Sequence, residues 1–330
     1  MASTAPSPVP DSIRQQLLER RELLATTVKQ VSDSNEFQAL LDEVDAALAR
    51  VSAGTYGICE TCHDPIEPER LAADPLLRFC VDHLSVAQRR ALEEDIELAS
   101  RIQRKLLPNQ RARTAHWEAY YHYAPAGPVG GDYCDLVIDE RDGKIFFVFG
   151  DAAGKGVAAS MLTAHLHTLF RTLHALDLPL DQLLARANRI FCESMLSDHF
   201  ATLVCGRASA GGTIELANAG HCPPLMLHAG LQSPLEATGV PLGLFGTAKF
   251  GVHRIELAPG DSLLFYTDGL TEACNAAGAE YGAERVGRFA ASRAELAPEH
   301  LVRECLTNLA EFQDGARLTD DLTLMVLQRQ

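Results

Sequence analysis

Four aspartates set at strand ends or in turns rich in glycine hold the chemically suggestive part of this sequence. Asp132 stands in Gly130-Gly131-Asp132-Tyr133, Asp151 in Phe149-Gly150-Asp151-Ala152, Asp268 in Tyr266-Thr267-Asp268-Gly269, and Asp320 in Leu318-Thr319-Asp320-Asp321-Leu322. An aspartate beside glycine is ordinary turn chemistry, so none of the four means much alone. Three of them, however, adjoin apolar β-type runs, Ile145–Phe149, Leu263–Tyr266 and Leu322–Leu327, which would hold the carboxylates at rigid strand ends. Carboxylates converging there would repel one another and be driven to protonate unless cations neutralised them. Donor sets made only of oxygen select hard ions, Mn²⁺ or Mg²⁺, over zinc or copper. Two such ions about 3.5–4 Å apart can hold a water, lower its pKa and clamp a phosphoryl group during in-line displacement. The chemistry implied is phosphoester hydrolysis.

A second constellation is Cys59-x-x-Cys62, seventeen residues, then Cys80-x-x-His83. Three thiolates and an imidazole at this spacing can close a tetrahedral Zn²⁺ site, and a closed four-ligand site leaves the ion no open position for catalysis. The plain alternative is unligated cysteines in a core. The other six cysteines, at 134, 192, 205, 222, 274 and 305, are scattered and read as buried thiols. A third candidate fails: Gly150–Gly156 contains Lys155 but is no nucleotide loop, because Phe149 occupies the position of the first required glycine and no Ser or Thr follows Lys155.

The elements that must position these residues change character at Pro108. Before it, Leu41, Val44, Leu48 and Val51 follow Phe37 in steps of four and three, and Leu17, Leu24, Val28 and Val31 are also helical in pattern. The polar break at residues 32–35 turns one helix into the other, so residues 11–52 are predicted to form a helical hairpin. The cysteine segment follows to residue 84, with residues 1–10 as a flexible leader. Residues 85–107 form a linker helix whose seam, Leu92, Ile96, Ala99 and Leu106, suits packing within its own domain and a parallel homodimer contact equally well. From 108 to 330, eight short strands are predicted at 117–123, 144–149, 200–207, 213–217, 224–228, 253–257, 262–266 and 322–328. Helices at 156–176, 180–196 and 298–312 interrupt them. Bunched strands favour an α/β domain of packed antiparallel sheets over strict β-α alternation.

Composition narrows the partners. Acidic residues outnumber basic ones by 44 to 29, a formal charge of −15, which opposes direct nucleic-acid binding. No apolar stretch approaches the length that crosses a bilayer, and residues 1–12 have neither the basic start nor the apolar run of a secretory signal. A cytoplasmic protein without membrane contact is expected.

Five motifs in order, GGDYCD, FGDAAGKG, NAGH, YTDG and TDDLTL, span residues 130–325, about two thirds of the chain. Together they resemble the metal-dependent protein phosphatase 2C-like family, in its bacterial SpoIIE-type branch. The resemblance implies an α-β-β-α sandwich and a protein serine/threonine phosphatase with two Mn²⁺ or Mg²⁺ ions at one end of its sheets. Asp151 resembles the carboxylate that bridges the metals and the Ala152 carbonyl the backbone ligand. Asp132 would complete one metal and Asp268 and Asp320 the other, while Asp321 would accept a hydrogen bond from a metal-bound water. The NAGH motif, Asn218 to His221, carries no catalytic role in this reading. The implied substrate is a phosphorylated regulatory protein, such as an anti-sigma-factor antagonist. The stretch from Gly54 to Leu84 resembles the DksA/TraR zinc-finger family, with His83 where a fourth cysteine is usual. That resemblance implies RNA polymerase as an alternative partner, the chain then acting as a transcription regulator. The acidic Asp42-x-x-Asp45-Ala46 lies near the finger rather than at the hairpin tip, which argues against this second role.

Overall fold

The computed structural model describes residues 11–30, 35–84, 86–139, 141–195, 199–316 and 318–330. The leader at 1–10 and most of the hairpin tip lie outside them. The chain divides into two compact units, Met1–Glu94 and Asp95–Gln330.

In the first unit, α1 (Asp11–Gln30) and α2 (Asn35–Ala53) form the expected hairpin. Their apolar stripes meet at Leu17, Leu24, Val44 and Ala47, and the same cluster takes in Tyr56, Cys59, Ile66, Leu71 and Cys80 of the cysteine segment. Gly54, at φ +72°, follows α2 in the left-handed conformation that glycine adopts without strain. The segment beyond contains only α3 (Pro68–Ala73) and a 3₁₀ turn at Val81–His83. So few buried side chains give this region little core of its own. Helix α4 (Val86–Leu106) then runs across the division between the units. Of its seam, Ile96, Ala99 and Leu106 are half-buried and Leu92 is exposed, whereas Ser100 and Gln103 are buried.

The second unit contains, in order, β1 (Arg111–Arg113), β2 (Trp117–Ala124), β3 (Asp132–Ile138), β4 (Ile145–Ala152), α5 (Gly156–His174), α6 (Leu180–Ser194), β5 (Ala201–Ala208), β6 (Thr213–Ala219), β7 (Leu225–His228), β8 (Leu231–Pro234), β9 (His253–Glu256), β10 (Ser262–Tyr266), α7 (Asp268–Thr271), α8 (Ala283–Ala291), α9 (Pro298–Gln313) and β11 (Leu322–Arg329). Its strands make two antiparallel sheets, β1-β2-β11-β10-β7-β8 and β3-β4-β5-β6-β9. Side chains alternate across each strand, and in central strands such as β4, β10 and β11 both faces are covered. Phe147 and Phe149 point between the sheets, where Phe147 meets Phe265 of the opposite sheet edge-on at 5.3 Å. Phe146 and Val148 point outward beneath α5 and α6, and Leu264 and Val326 outward beneath α8 and α9. This is the α-β-β-α sandwich, and burial on both faces explains why strands such as β4 read as continuous apolar runs.

The structure adds β1, β3, β8 and three helices, α3, α7 and α8, to the elements expected from sequence. Strand β3 hides because Asp135 interrupts its apolar run. That carboxylate is buried and receives Arg171 Nε and Nη2, each at 2.7 Å. Of the six scattered cysteines, only Cys134, Cys205 and Cys305 are buried; Cys192 and Cys222 are half-buried and Cys274 is exposed, so the expectation of buried thiols is corrected for those three.

Candidate metal centres

The two sheets end together at the acidic motifs. Asp132 opens β3 and Asp151 lies one residue from the end of β4, and the antiparallel register places them directly opposite each other. In the other sheet, Asp268 follows β10 by two residues and Asp320 precedes β11 by two, on strands that pair with each other. Two threonines join these ends. Thr267 Oγ1, at 3.0 Å, and Thr323 Oγ1, at 2.5 Å, both donate to Asp132 Oδ2. An aspartate of one sheet is therefore held by hydroxyls from the residue before Asp268 and from the third residue after Asp320. Sequence reading passed over both threonines, although each sits inside a quoted motif.

The glycines of the first motif allow the close approach. A Cβ on Gly131 would lie 2.8 Å from the Ala152 carbonyl oxygen and 2.9 Å from Asp151 Oδ1, so that carbonyl and that carboxylate face the same glycine. The loop is fixed from two directions. Asp321 accepts the N–H groups of Ala126 at 2.7 Å and Gly131 at 2.6 Å. Gln103 of α4 is hydrogen-bonded to both ends of the Gly130 residue. These contacts give Asp321 a part in shaping the loop that its sequence context did not suggest.

Electrostatics show how crowded this end of the sandwich is. Burial drives the Asp132 carboxyl well above its usual range, and Asp151 and Asp321 push it further, against the two threonine hydroxyls. Burial, followed by repulsion from Asp268, Asp320 and Asp321, pushes Asp151 up to about 7. Asp268 is raised by burial and by Asp320, and partly relieved by Lys155. Each of these carboxylates gains from a nearby positive charge. One is present: Lys155 Nζ lies 2.8 Å from Asp320 Oδ2. His221, by contrast, is buried and depressed to about 4 by that burial, and its Nδ1 lies 2.9 Å from Thr202 Oγ1 on the strand beside Asp151. It is a neutral strut in the NAGH turn, where Asn218 Oδ1 accepts its N–H at 2.8 Å.

The cysteine constellation is tighter. Ligand atoms of Cys59, Cys62, Cys80 and His83 all lie within 4.8 Å of one another, a spacing that the aspartates do not match among the described residues. The Cys62 and Cys80 sulfurs are 3.7 Å apart, against about 3.8 Å for the edge of a tetrahedron with 2.3 Å metal–sulfur bonds. His83 Nδ1 lies 3.1 Å from the Cys80 sulfur. Burial opposes ionisation of Cys59, but the N–H groups of Cys62, Cys80 and Thr61 outweigh it and bring the thiol down to about 6. Cys62 is carried up to about 11, its N–H bond from Asp64 outweighed by burial and by the neighbouring thiols. Thiols so close cannot all ionise without a shared cation, and this donor set of three sulfurs and one imidazole suits a soft or borderline ion.

Comparisons with known proteins find relatives for both parts of the chain. Residues 141–330 match the model of the family described as Stage II sporulation protein E (SpoIIE), and residues 54–82 match the prokaryotic dksA/traR C4-type zinc finger. Protein IcfG of Synechocystis sp. is 25% identical over 264 residues, covering 71% of this chain and 41% of that protein. Phosphoserine phosphatase RsbU of Bacillus subtilis is 24% identical over 242 residues, covering 72% of this chain and 71% of that protein. The crystal structure of the RsbU and RsbW domains of Rv1364c from Mycobacterium tuberculosis superposes with a TM-score of 0.56 at 28% identity, covering 68% of this chain and 63% of that one.

Proposed function

Because the chain belongs to the SpoIIE family, whose model matches residues 141–330, we propose that it is a metal-dependent protein serine/threonine phosphatase acting on a phosphorylated regulatory protein. The observation that carries this reading is the gathering of Asp132, Asp151, Asp268 and Asp320 at one end of the sandwich despite the burial and the mutual repulsion that raise three of them.

The donors fit Mn²⁺ or Mg²⁺, being carboxylates and a backbone carbonyl. Such ions, as a pair, supply an activated water and charge stabilisation for phosphoryl transfer. In this reading Asp151 would serve both ions and the Ala152 carbonyl would be a backbone ligand, with Asp132 completing one ion and Asp268 and Asp320 the other. Thr267 and Thr323 hold Asp132 Oδ2, which fixes the carboxylate and leaves Oδ1 for a cation. Asp321 and Gln103 keep Gly130 and Gly131 in place, and thereby the start of β3.

Cys59, Cys62, Cys80 and His83 are assigned to one Zn²⁺ in a closed structural site, through which the first unit would regulate the phosphatase. A phosphoserine-bearing regulatory protein, such as an anti-sigma-factor antagonist, is the substrate class we favour; the likeness to the phosphoserine phosphatase RsbU supports the phosphoserine alone. Among the described residues no helix is long and apolar enough to cross a membrane.

The test is hydrolysis of p-nitrophenyl phosphate and of a phosphoserine peptide by the purified chain in Mn²⁺. Activity is expected in the native chain and should be lost in Asp151→Ala; undiminished turnover in that variant would overturn the assignment.

A further inference from the structure

A phosphate monoester brings close to two negative charges into a site already lined by carboxylates, and the metal ligands leave unanswered which side chain orients it. Lys155 is placed to do so. It lies between Gly154, at φ +106°, and Gly156, at φ +69°, two left-handed positions that let the chain turn sharply from β4 into α5. Its ammonium donates to Asp320 Oδ2 at 2.8 Å and to the Thr319 carbonyl at 3.0 Å, while about two thirds of its side chain is exposed. The positive group thus sits at the open side of the acidic cluster, within the fields of Asp268 and Asp321 as well.

We propose that Lys155 is a substrate-binding residue whose ammonium exchanges its contact with Asp320 for a terminal oxygen of the phosphoryl group. This rests on the phosphatase reading of the same site. A carboxylate engaged by a divalent ion is a poorer partner for an ammonium, and a phosphate dianion is a better one. The exchange requires only rotation about an exposed four-carbon stem, since Lys155 has no buried contact holding it. The ammonium keeps its proton throughout, so Lys155 contributes position and charge and no proton transfer. A purely structural Lys155, serving to neutralise Asp320, would have the opposite signature: its loss would disturb metal binding and leave phosphate binding unchanged.

The experiment uses the full chain and the variants Lys155→Ala, Lys155→Gln and Lys155→Arg. Calorimetric titration with Mn²⁺, then with inorganic phosphate on the Mn²⁺-loaded protein, measures the two affinities apart from turnover. Loss of a charge-assisted hydrogen bond predicts about tenfold weaker phosphate binding and a KM for the phosphoserine peptide raised by about the same factor in the Ala and Gln variants. Mn²⁺ affinity should be unchanged or tighter, and the Arg variant should recover part of the phosphate affinity. Phosphate affinity and KM within about twofold of the native chain, or a loss confined to Mn²⁺ affinity, would overturn the proposal. A native chain that binds Mn²⁺ yet hydrolyses neither substrate would instead overturn the phosphatase reading itself, and this proposal with it.

Discussion

Gln103 grips Gly130 at both ends: its Nε2 donates to the Gly130 carbonyl at 2.6 Å, and its Oε1 accepts the Gly130 N–H at 3.1 Å. The same Oε1 takes the Tyr123 hydroxyl at 3.2 Å. A polar residue inside an otherwise apolar seam thus satisfies two buried peptide groups that no strand pairs. Replacing it with alanine strands both, which by typical penalties is about 2 kcal/mol or more. For a domain of this size that corresponds to a fall of about 4–8 °C in Tm, and a melt of Gln103→Ala overlaying the native curve would refute the clamp.

Asp320 and Asp321 are neighbours in sequence with different duties. Asp321 accepts two backbone N–H groups, whereas Asp320 meets a lysine at the mouth of the site. Asp321→Asn keeps one good acceptor and gives the second position a repelling donor, so the loop should loosen while the metal ligands remain. Calorimetry should find two Mn²⁺ per chain in Asp321→Asn with turnover reduced about tenfold or more, and a reduced stoichiometry in Asp151→Asn. If Asp321→Asn loses an ion and Asp151→Asn keeps both, the assignments are reversed.

The parts of this site legible in sequence were those with local signals. Glycines beside Asp132, Asp151 and Asp268, and apolar runs beside three of the four acids, marked strand ends without any knowledge of their partners. Elements whose logic is long-range were not legible. Strand β3 is interrupted by Asp135, which is tolerable only because Arg171, 36 residues away, neutralises it. Strand β8 shows no apolar alternation because all four of its residues are exposed. Helix α8 is only nine residues long, and its apolar face of Val286, Phe289 and Ala290 is amphipathic in the sequence but spans too few turns to stand out. Long-range logic governs side chains too: Thr267, Thr323 and Gln103 acquire roles from partners between 27 and 191 residues away.

Asp151 makes the metal-free protein sensitive to pH in a definite direction. Its carboxyl titrates at about 7 in the folded chain, against an ordinary 3.8, with burial the largest cause. The folded state therefore holds that proton more tightly than the unfolded state does. Its contribution to stability is full below pH 4 and is lost as pH rises to about 7, with an upper limit on the order of 4 kcal/mol. Mn²⁺ should act in the opposite sense, because its ligands must be deprotonated and its stabilisation grows with pH. Thermal melts between pH 5 and 8, in chelator and in Mn²⁺, follow both effects. Asp151→Asn should melt above the native chain at about pH 8 in chelator; a lower melting point there would contradict the electrostatic account.

The cysteine segment should depend on its metal for structure. It buries only a handful of side chains, two of them the thiols Cys59 and Cys80, so metal-ligand bonds take the place of a core. One equivalent of Zn²⁺ is expected in the purified chain, and stripping it should remove amide-exchange protection from Cys59 to His83 while the sandwich keeps its own. His83 is the informative ligand, because the matching zinc-finger family is of C4 type and its match ends at residue 82. His83→Ala should bind Zn²⁺ at least about a hundredfold more weakly, and His83→Cys should retain a full equivalent with a four-thiolate absorption spectrum after Co²⁺ substitution. Full Zn²⁺ affinity in His83→Ala would show that the fourth ligand lies elsewhere.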